Sequence, residues 1–518
     1  MHDFMNEPII RVGTTGGGRK GLTLPGVLAG LVRDEIASFT ALQPYQAHAW
    51  HAFLVQLAAI ALHRGGVETP PAEESTWRDL LRALTADWPG DEPWQLVVED
   101  LAKPALMQPP VPEGVLTGFK NRLTQPDEID VLATSKNHDI KMARMGRALP
   151  DNWLMALVSL QTMDGYLGKG NYGIARMNSG YASRPGVGIR RDFRLAGHFH
   201  RDLILMTRHR QAVLESYSSF YRESGGHALL WLLPWDGQTS LALQDLDPSF
   251  IEVCRRVRLT SSPNGVQALG SASQSARIHA DKELKGNLGD FWTPIRDGAS
   301  LTVSRNGFDY PLVANLILGS GDYRQSPAQS QDHEPLRGDG EFLARVLTRG
   351  QGKTEGYHER RVPIPAKAMV VLGQAQPRET LAGVAKKRVE QCGVVANKAL
   401  KPSLLTMIQE APNKLNFKDG RAEAWLSRFD HQVDEAFFPF LWRSLTLEGE
   451  EAEAEWLRFL KAAGLEIMSR AEGSLIGGGA RRYKTFAAAE RVFHGALSHQ
   501  FPLFRTHEGS STDPETDR

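Results

Sequence analysis

The hydrophobic pattern of the chain changes kind near residue 376, and no other feature constrains the fold as much. Before that point, short β-branched runs alternate with helical stretches. After it, helical periodicities cover residues 378–410, 421–443, 448–470 and 483–500, joined by short connections. Apolar-striped helices linked so briefly pack as antiparallel neighbours. The expected fold class is therefore α+β: a large mixed N-terminal domain over 1–376, a C-terminal antiparallel four-helix bundle over 377–500, and a polar, disordered tail over 501–518. The length agrees, since 518 residues exceed what one core can hold.

Within the bundle, Lys386, Lys387 and Arg388 read as a solvent-facing basic run, and Pro439 as an interruption or end of the second helix. Glu448, Glu450, Glu451, Glu453 and Glu455 open the third helix, where acid complements the helix dipole. In the N-terminal domain, residues 9–12, 253–260, 301–303 and 362–364 read as strands, and 13–21 as the tip of a hairpin. Residues 44–64 and 152–163 read as helices; the second is apolar nearly all round and so buried. Residues 130–145 read as a long basic loop, 319–340 as an exposed polar loop, and 200–221 fits helix and strand equally.

Lys plus Arg and Asp plus Glu number 60 each, so bulk charge does not announce a nucleic-acid binder and any such role rests on local patches. One patch stands out. The segment 159–185 is rich in glycine, which lets backbone approach a ligand. It runs into 176–222, where nine arginines face only Asp192, Asp202 and Glu215. Arginine beside a glycine loop is suited to phosphate. The N-terminal residues show no signal-peptide pattern, and no stretch approaches a membrane span of about 18 apolar residues, so a cytoplasmic protein with no membrane partner is expected. Cys254 and Cys392 are too few and too far apart for a disulfide framework or a four-cysteine zinc site, and read as buried free thiols.

Catalytic constellations are weak. His48 and His51 share a helix face at a spacing that suits a metal, but no carboxylate in that helix completes the set. The run Lys136, Asn137, His138, Asp139 looks like a nuclease fragment without a second ligand group, and His198 and His200 lie in a basic stretch. No catalytic residue, no metal and no cofactor are expected. Nucleic-acid features are more numerous. Lys136, Lys141, Arg144 and Arg147 form a basic stripe, and Asn137 and His138 suit base edges or stacking. Asn178, Ser179 and Gly180 are small and polar enough for a minor groove. Lys282 and Lys285 adjoin a turn at Gly286–Gly289, and Gln325, Gln329 and Gln331 offer amides. Each is ordinary surface alone; together they favour a nucleic-acid role.

Several of these stretches carry a resemblance. Asn6-Glu7-Pro8-Ile9, Asp34-Glu35-Ile36, the run His48 to Gln56, Thr134 to Asp139, residues 161–185 and the turn 286–295 together resemble the large, CasA-type subunit of the type I-E CRISPR surveillance complex, Cascade, in order along nearly the whole chain. The resemblance implies a non-enzymatic subunit. It would read the protospacer-adjacent motif of double-stranded target DNA, promote duplex opening and R-loop formation with the guide RNA, contact the other Cascade subunits, and help recruit a helicase-nuclease. By position, Asn178, Ser179 and Gly180 would form the motif loop, and Lys285, or else Lys282, the lysine finger. Gln325, Gln329 and Gln331 would carry the wedge that splits the duplex, with the tip residue left open. Lys136, Asn137, His138, Lys141 and Arg144 would dock the subunit on guide RNA and neighbouring subunits. Two other readings remain: a metal-dependent nuclease using His48, His51, His138 and Asp139, and a purely structural protein or RNA scaffold.

Overall fold

The computed structural model describes residues 2–130, 148–178, 182–263, 265–331, 338–350, 353–410, 413–474 and 479–505. The chain divides into two units: residues 1–308 with 315–369, and residues 309–314 with 370–518. The division passes through the helices Tyr310–Leu318 and Ala366–Leu372.

The first unit is built around two buried helices. Ala47–Gly65 is alanine- and leucine-rich and buries every residue from Ala52 to Leu62. Pro150–Met163 begins with proline, whose missing N–H costs nothing at a helix start, and Asn152 Oδ1 accepts from the Leu149 backbone N–H (3.0 Å). Arg11 ties this helix to the first strand through Asp151, with two guanidinium bonds of 2.8 Å. Small antiparallel sheets surround the pair. Ile10–Thr14 lies between Arg19–Leu22 and Ile36–Phe39, so residues 13–21 do form a hairpin turn. Gly265–Ser271 lies between Asn121–Leu123 and Arg256–Ser262. The long hairpin Gly340–Gly350 and Lys353–Ile364 adds Gly186–Arg190 at its open side. A fourth sheet has Ile295–Arg296 between Ala299–Ser300 and Tyr323–Arg324.

Several expectations are corrected here. The expected strand 253–260 starts later, as Arg256–Ser262, because Gln161 Oε1 accepts from the Cys254 and Arg255 N–H groups and takes them out of the ladder. Residues 301–303 lie beyond the strand Ala299–Ser300. The ambiguous stretch 200–221 is mostly the helix Leu195–Ser216. Of the expected exposed loop 319–340, the described part is only partly exposed: Ser326, Ala328 and Gln329 are buried.

In the second unit, Ala375–Val394 continues through a π-helical stretch, Val395–Leu400, into Lys401–Ile408. Glu423–Arg443, Gly449–Ser474 and Gly479–Gln500 complete the described bundle. Pro439 does not end its helix. Phe437 and Phe440 on either side pack against Trp456 (5.9 and 5.4 Å between ring centroids), and this burial outweighs the roughly 3 kcal/mol cost of an interior proline. Arg388 is likewise not on the solvent side; it is buried with its guanidinium over the Trp456 ring. Both cysteines are free and buried, and burial pushes their thiols up to about 12, which makes them poor nucleophiles. Among the described residues, no helix is long and apolar enough to cross a membrane.

Candidate nucleic-acid interface

The arginine excess of 176–222 is mostly internal. Arg176 is buried, donates to the Phe250 and Pro248 carbonyls (2.9 and 3.3 Å) and lies over the Phe250 ring. Arg184 holds Asp290 in a fully buried bidentate pair at 2.5 Å. Arg190 pairs with Glu341, Arg210 with Asp247, and Arg222 with Asp245, each at 2.7 Å. Arg194 binds Asp192 and Asp34. Arg201 donates to the Ala328 and Ser330 carbonyls (2.9 and 2.7 Å). Apart from Asp192, the acids that neutralise these arginines come from elsewhere in the chain, so a local charge count overstates what the segment offers to DNA.

The glycines of 159–185 are also partly internal. An antiparallel bridge between Asp164 and Ser183 closes the loop at its base, and Arg349 secures Asp164 at 3.0 Å. A Cβ on Gly173 would stand 2.6 Å from the Tyr166 backbone nitrogen, so this glycine permits the loop to fold on itself. Asn178 lies on the outgoing arm and is half-buried; Ser179 and Gly180 lie outside the described residues.

The lysine turn meets this arm. Lys282–Leu284 forms a single helical turn, and Lys285 closes it in the left-handed region at φ 47°. Gly286 follows at φ 76°, where a Cβ would stand 2.6 Å from the Asn178 backbone nitrogen. The fold thus seats the turn directly on Met177 and Asn178, a juxtaposition across more than a hundred residues of sequence. The Ser300 N–H donates to the Lys285 carbonyl (3.1 Å) and its hydroxyl to the Gly286 carbonyl (2.7 Å). Asn287 Oδ1 accepts from the Tyr217 hydroxyl (2.7 Å) and from Arg324 (3.2 Å). Tyr217, Ser300 and Arg324 are braces that sequence reading missed; nothing local marks them, because each acts on a distant segment. Lys282 and Lys285 are exposed, and their hydrogen bonds are made by the backbone: the Lys285 N–H donates to the Lys282 carbonyl at 3.1 Å. Asp281, Glu283, Asp297 and Asp322 lie exposed among Lys282, Lys285, Arg296 and Arg324. The surface is balanced in sign, which suits placed contacts more than a long-range field.

The glutamines are corrected. Gln329 is buried: its amide donates to the Leu316 carbonyl (2.8 Å) and its Oε1 accepts from the Ser326 N–H (3.0 Å), so it braces the turn and has no free end for a wedge. Gln325 donates to the Ile317 carbonyl (2.6 Å), and Gln331 accepts from Arg191 (3.1 Å); both are half-buried. Lys136, Asn137, His138, Asp139, Lys141 and Arg144 lie outside the described residues. His48 and His51 do not come together on a common ligand point. A Cβ on Gly186 would overlap the His48 ring, and His51 turns instead toward His198 and Asp202.

Two buried carboxyls near the loop behave oppositely. Burial raises the Asp290 carboxyl, but Arg184 and then Arg176 outweigh it and hold it at about 2. Burial pushes Glu252 up to about 7, because Arg176 is spent on carbonyls and only the Ala175 N–H (2.7 Å) meets the carboxylate.

No protein-family model matches the sequence, and no curated protein matches it. Solved structures do match. The chain resembles the CRISPR-associated protein Cse1 from Acidimicrobium ferrooxidans with 14% identity and a TM-score of 0.62, covering 96% of this chain and 98% of that one. Thermus thermophilus CasA (Cse1) matches with 18% identity and a TM-score of 0.60, covering 96% and 99%. Thermobifida fusca Cse1 matches with 14% identity and a TM-score of 0.61, covering 97% and 98%. The chain has the Cse1 fold over 96% of its length.

Proposed function

We propose that this chain is the non-catalytic, CasA-type large subunit of a type I-E CRISPR RNA-guided surveillance complex, working in the cytoplasm. The observation that carries the reading is the Cse1 fold over 96% of the chain and nearly all of each matched structure. In this reading Asn178, Ser179 and Gly180 enter the minor groove beside the motif, and Lys285, with Lys282 behind it, contacts the adjoining backbone or base edges. The seating of Gly286 on Asn178 supports a single two-part reader, since the two segments are in direct backbone contact. Duplex separation falls to the half-buried Gln325 and Gln331 and not to Gln329. Lys136, Asn137, His138, Lys141 and Arg144 dock the subunit on the guide RNA and its neighbours, and a helicase-nuclease joins after target binding. Sequence beyond the motif is read by RNA–DNA pairing.

The test uses the complex assembled with this chain and a guide RNA, offered duplexes that match the guide and differ only in the flanking bases. Affinity is expected to follow the flank. Equal affinity for every flank would reduce the chain to a scaffold, and metal-dependent nicking by the isolated chain would restore the nuclease reading.

A further inference from the structure

The Nε2 atoms of His51 and His198 both lie near one carboxylate oxygen of Asp202 in the first unit. His51 comes from the helix Ala47–Gly65, and His198 and Asp202 from one face of the helix Leu195–Ser216. The two imidazoles lie nearly parallel, 4.0 Å apart at 13°. His51 Nε2 is 2.9 Å, and His198 Nε2 3.4 Å, from the same Asp202 Oδ2. Trp292 Nε1–H donates to that oxygen as well, at 3.0 Å. His51 and Trp292 fill the two lone pairs of Oδ2, so His198 Nε2 faces an acceptor already taken.

A cation removes this conflict. We propose that His51 Nε2, His198 Nε2 and Asp202 Oδ2 bind a transition-metal ion of the zinc class, which pins the two helices together beneath the Trp292 segment. One ligand atom from each of the three lies within 4.8 Å of the others. Atoms bound about 2.0–2.2 Å from a shared zinc stand roughly 3.2–3.5 Å apart at tetrahedral angles. The His198–Asp202 separation already meets this spacing, the His51–Asp202 hydrogen bond opens by about half an ångström to reach it, and one of the two near-parallel rings turns so that both in-plane Nε2 lone pairs face the ion. Two imidazoles with one carboxylate select zinc, cobalt, nickel or ferrous iron over magnesium and calcium, which take oxygen ligands. The outer contacts suit the role: Arg201 holds Asp202 Oδ1 at 3.3 Å, and Trp292 orients Oδ2. The sequence shows the His198–Asp202 spacing, but His51 is 147 positions away and joins only in the fold.

The experiment is metal analysis of the full chain after Zn2+ loading and desalting, beside His198→Phe, which keeps a ring in the stack and removes the ligand nitrogens. About one zinc per chain is expected in the parent and less than ~0.1 in the variant. Co2+ loading should give the visible bands of a nitrogen–oxygen site of low coordination number, and Zn2+ should raise Tm in the parent. If His198→Phe does not fold, the parent's metal content and Co2+ spectrum decide alone. A parent that retains no zinc and shows no Tm shift overturns the proposal in favour of a purely hydrogen-bonded His–Asp–His cluster. Equal zinc in parent and folded variant overturns it by placing the ion elsewhere.

Discussion

Two basic regions of the first unit use their charge in opposite ways. In 176–222, the arginines Arg176, Arg184, Arg190, Arg201 and Arg210 are turned inward onto carbonyls and distant carboxylates. In the lysine turn, the backbone is held firmly while the ends of Lys282 and Lys285 are exposed. The planar, multi-donor guanidinium is suited to stitching chain segments together, and the flexible ammonium to meeting a partner from a fixed base. Charge density along a sequence therefore says little about which charges are available.

The largest effect should come from breaking the internal region. Asp290→Ala leaves Arg184 buried without its counter-charge, and a loss of about 3–5 kcal/mol in unfolding free energy is expected by denaturant titration. A loss under about 1 kcal/mol would mean that the arginine segment is not the scaffold described here. The pair also sets a pH dependence. With the folded carboxyl at about 2, below its unfolded value, the Asp290 contribution is complete above about pH 4 and is lost as pH falls toward 2.

Gly286→Val joins the two regions in one test. It adds a branched side chain at φ 76° and against the Asn178 backbone, at a cost of about 1–3 kcal/mol in stability. Flank-dependent DNA binding by the assembled complex should fall further than stability does. Binding that keeps its preference would separate the lysine turn from Asn178 functionally.

Asn178→Ala sharpens the contrast between placed contact and field. Loss of one base-edge contact costs roughly 1–3 kcal/mol, about ten- to a hundredfold in affinity, on correctly flanked duplex only. An equal loss on all flanks removes the loop from the reading role. Lys285→Ala should act on every duplex and reduce the slope of log affinity against log salt by about 1, with stability within about 0.5 kcal/mol of the parent. An unchanged slope together with altered flank preference would make Lys285 a base reader.

Glu252 tests the internal region by pH. Its folded pKa of about 7 lies above the unfolded value near 4.3, so its contribution is full at low pH and is lost as pH rises from about 4 through 7. Glu252→Gln should flatten Tm against pH across that window. A parent curve without a slope there would show that Arg176 keeps the carboxylate charged.

Much of the architecture was legible in the residues because periodicity and caps are local. The hairpin at 13–21, the buried helices near 47–65 and 150–163, and the helical C-terminal region all follow from patterns within one element. Pro439 was misjudged because propensity within a helix weighs less than aromatic packing from Trp456. Gln329 looked available because a polar residue between glycines and prolines reads as surface, whereas the carbonyl it satisfies belongs to Leu316 on a preceding helix.

The sequence by itself determined the two-part organisation, the kinds of element in each part, the turn after Lys285 and the stretches that resemble a CasA-type subunit. Tertiary structure alone decided which polar groups are spent and which are exposed. Asp290 reaches Arg184 across 106 positions, Gly286 backs onto Asn178, and His51 leaves His48 for His198 and Asp202. The physical reason is that a buried charge or donor must find a partner wherever the fold supplies one, and that partner is chosen by distance in space and not along the chain.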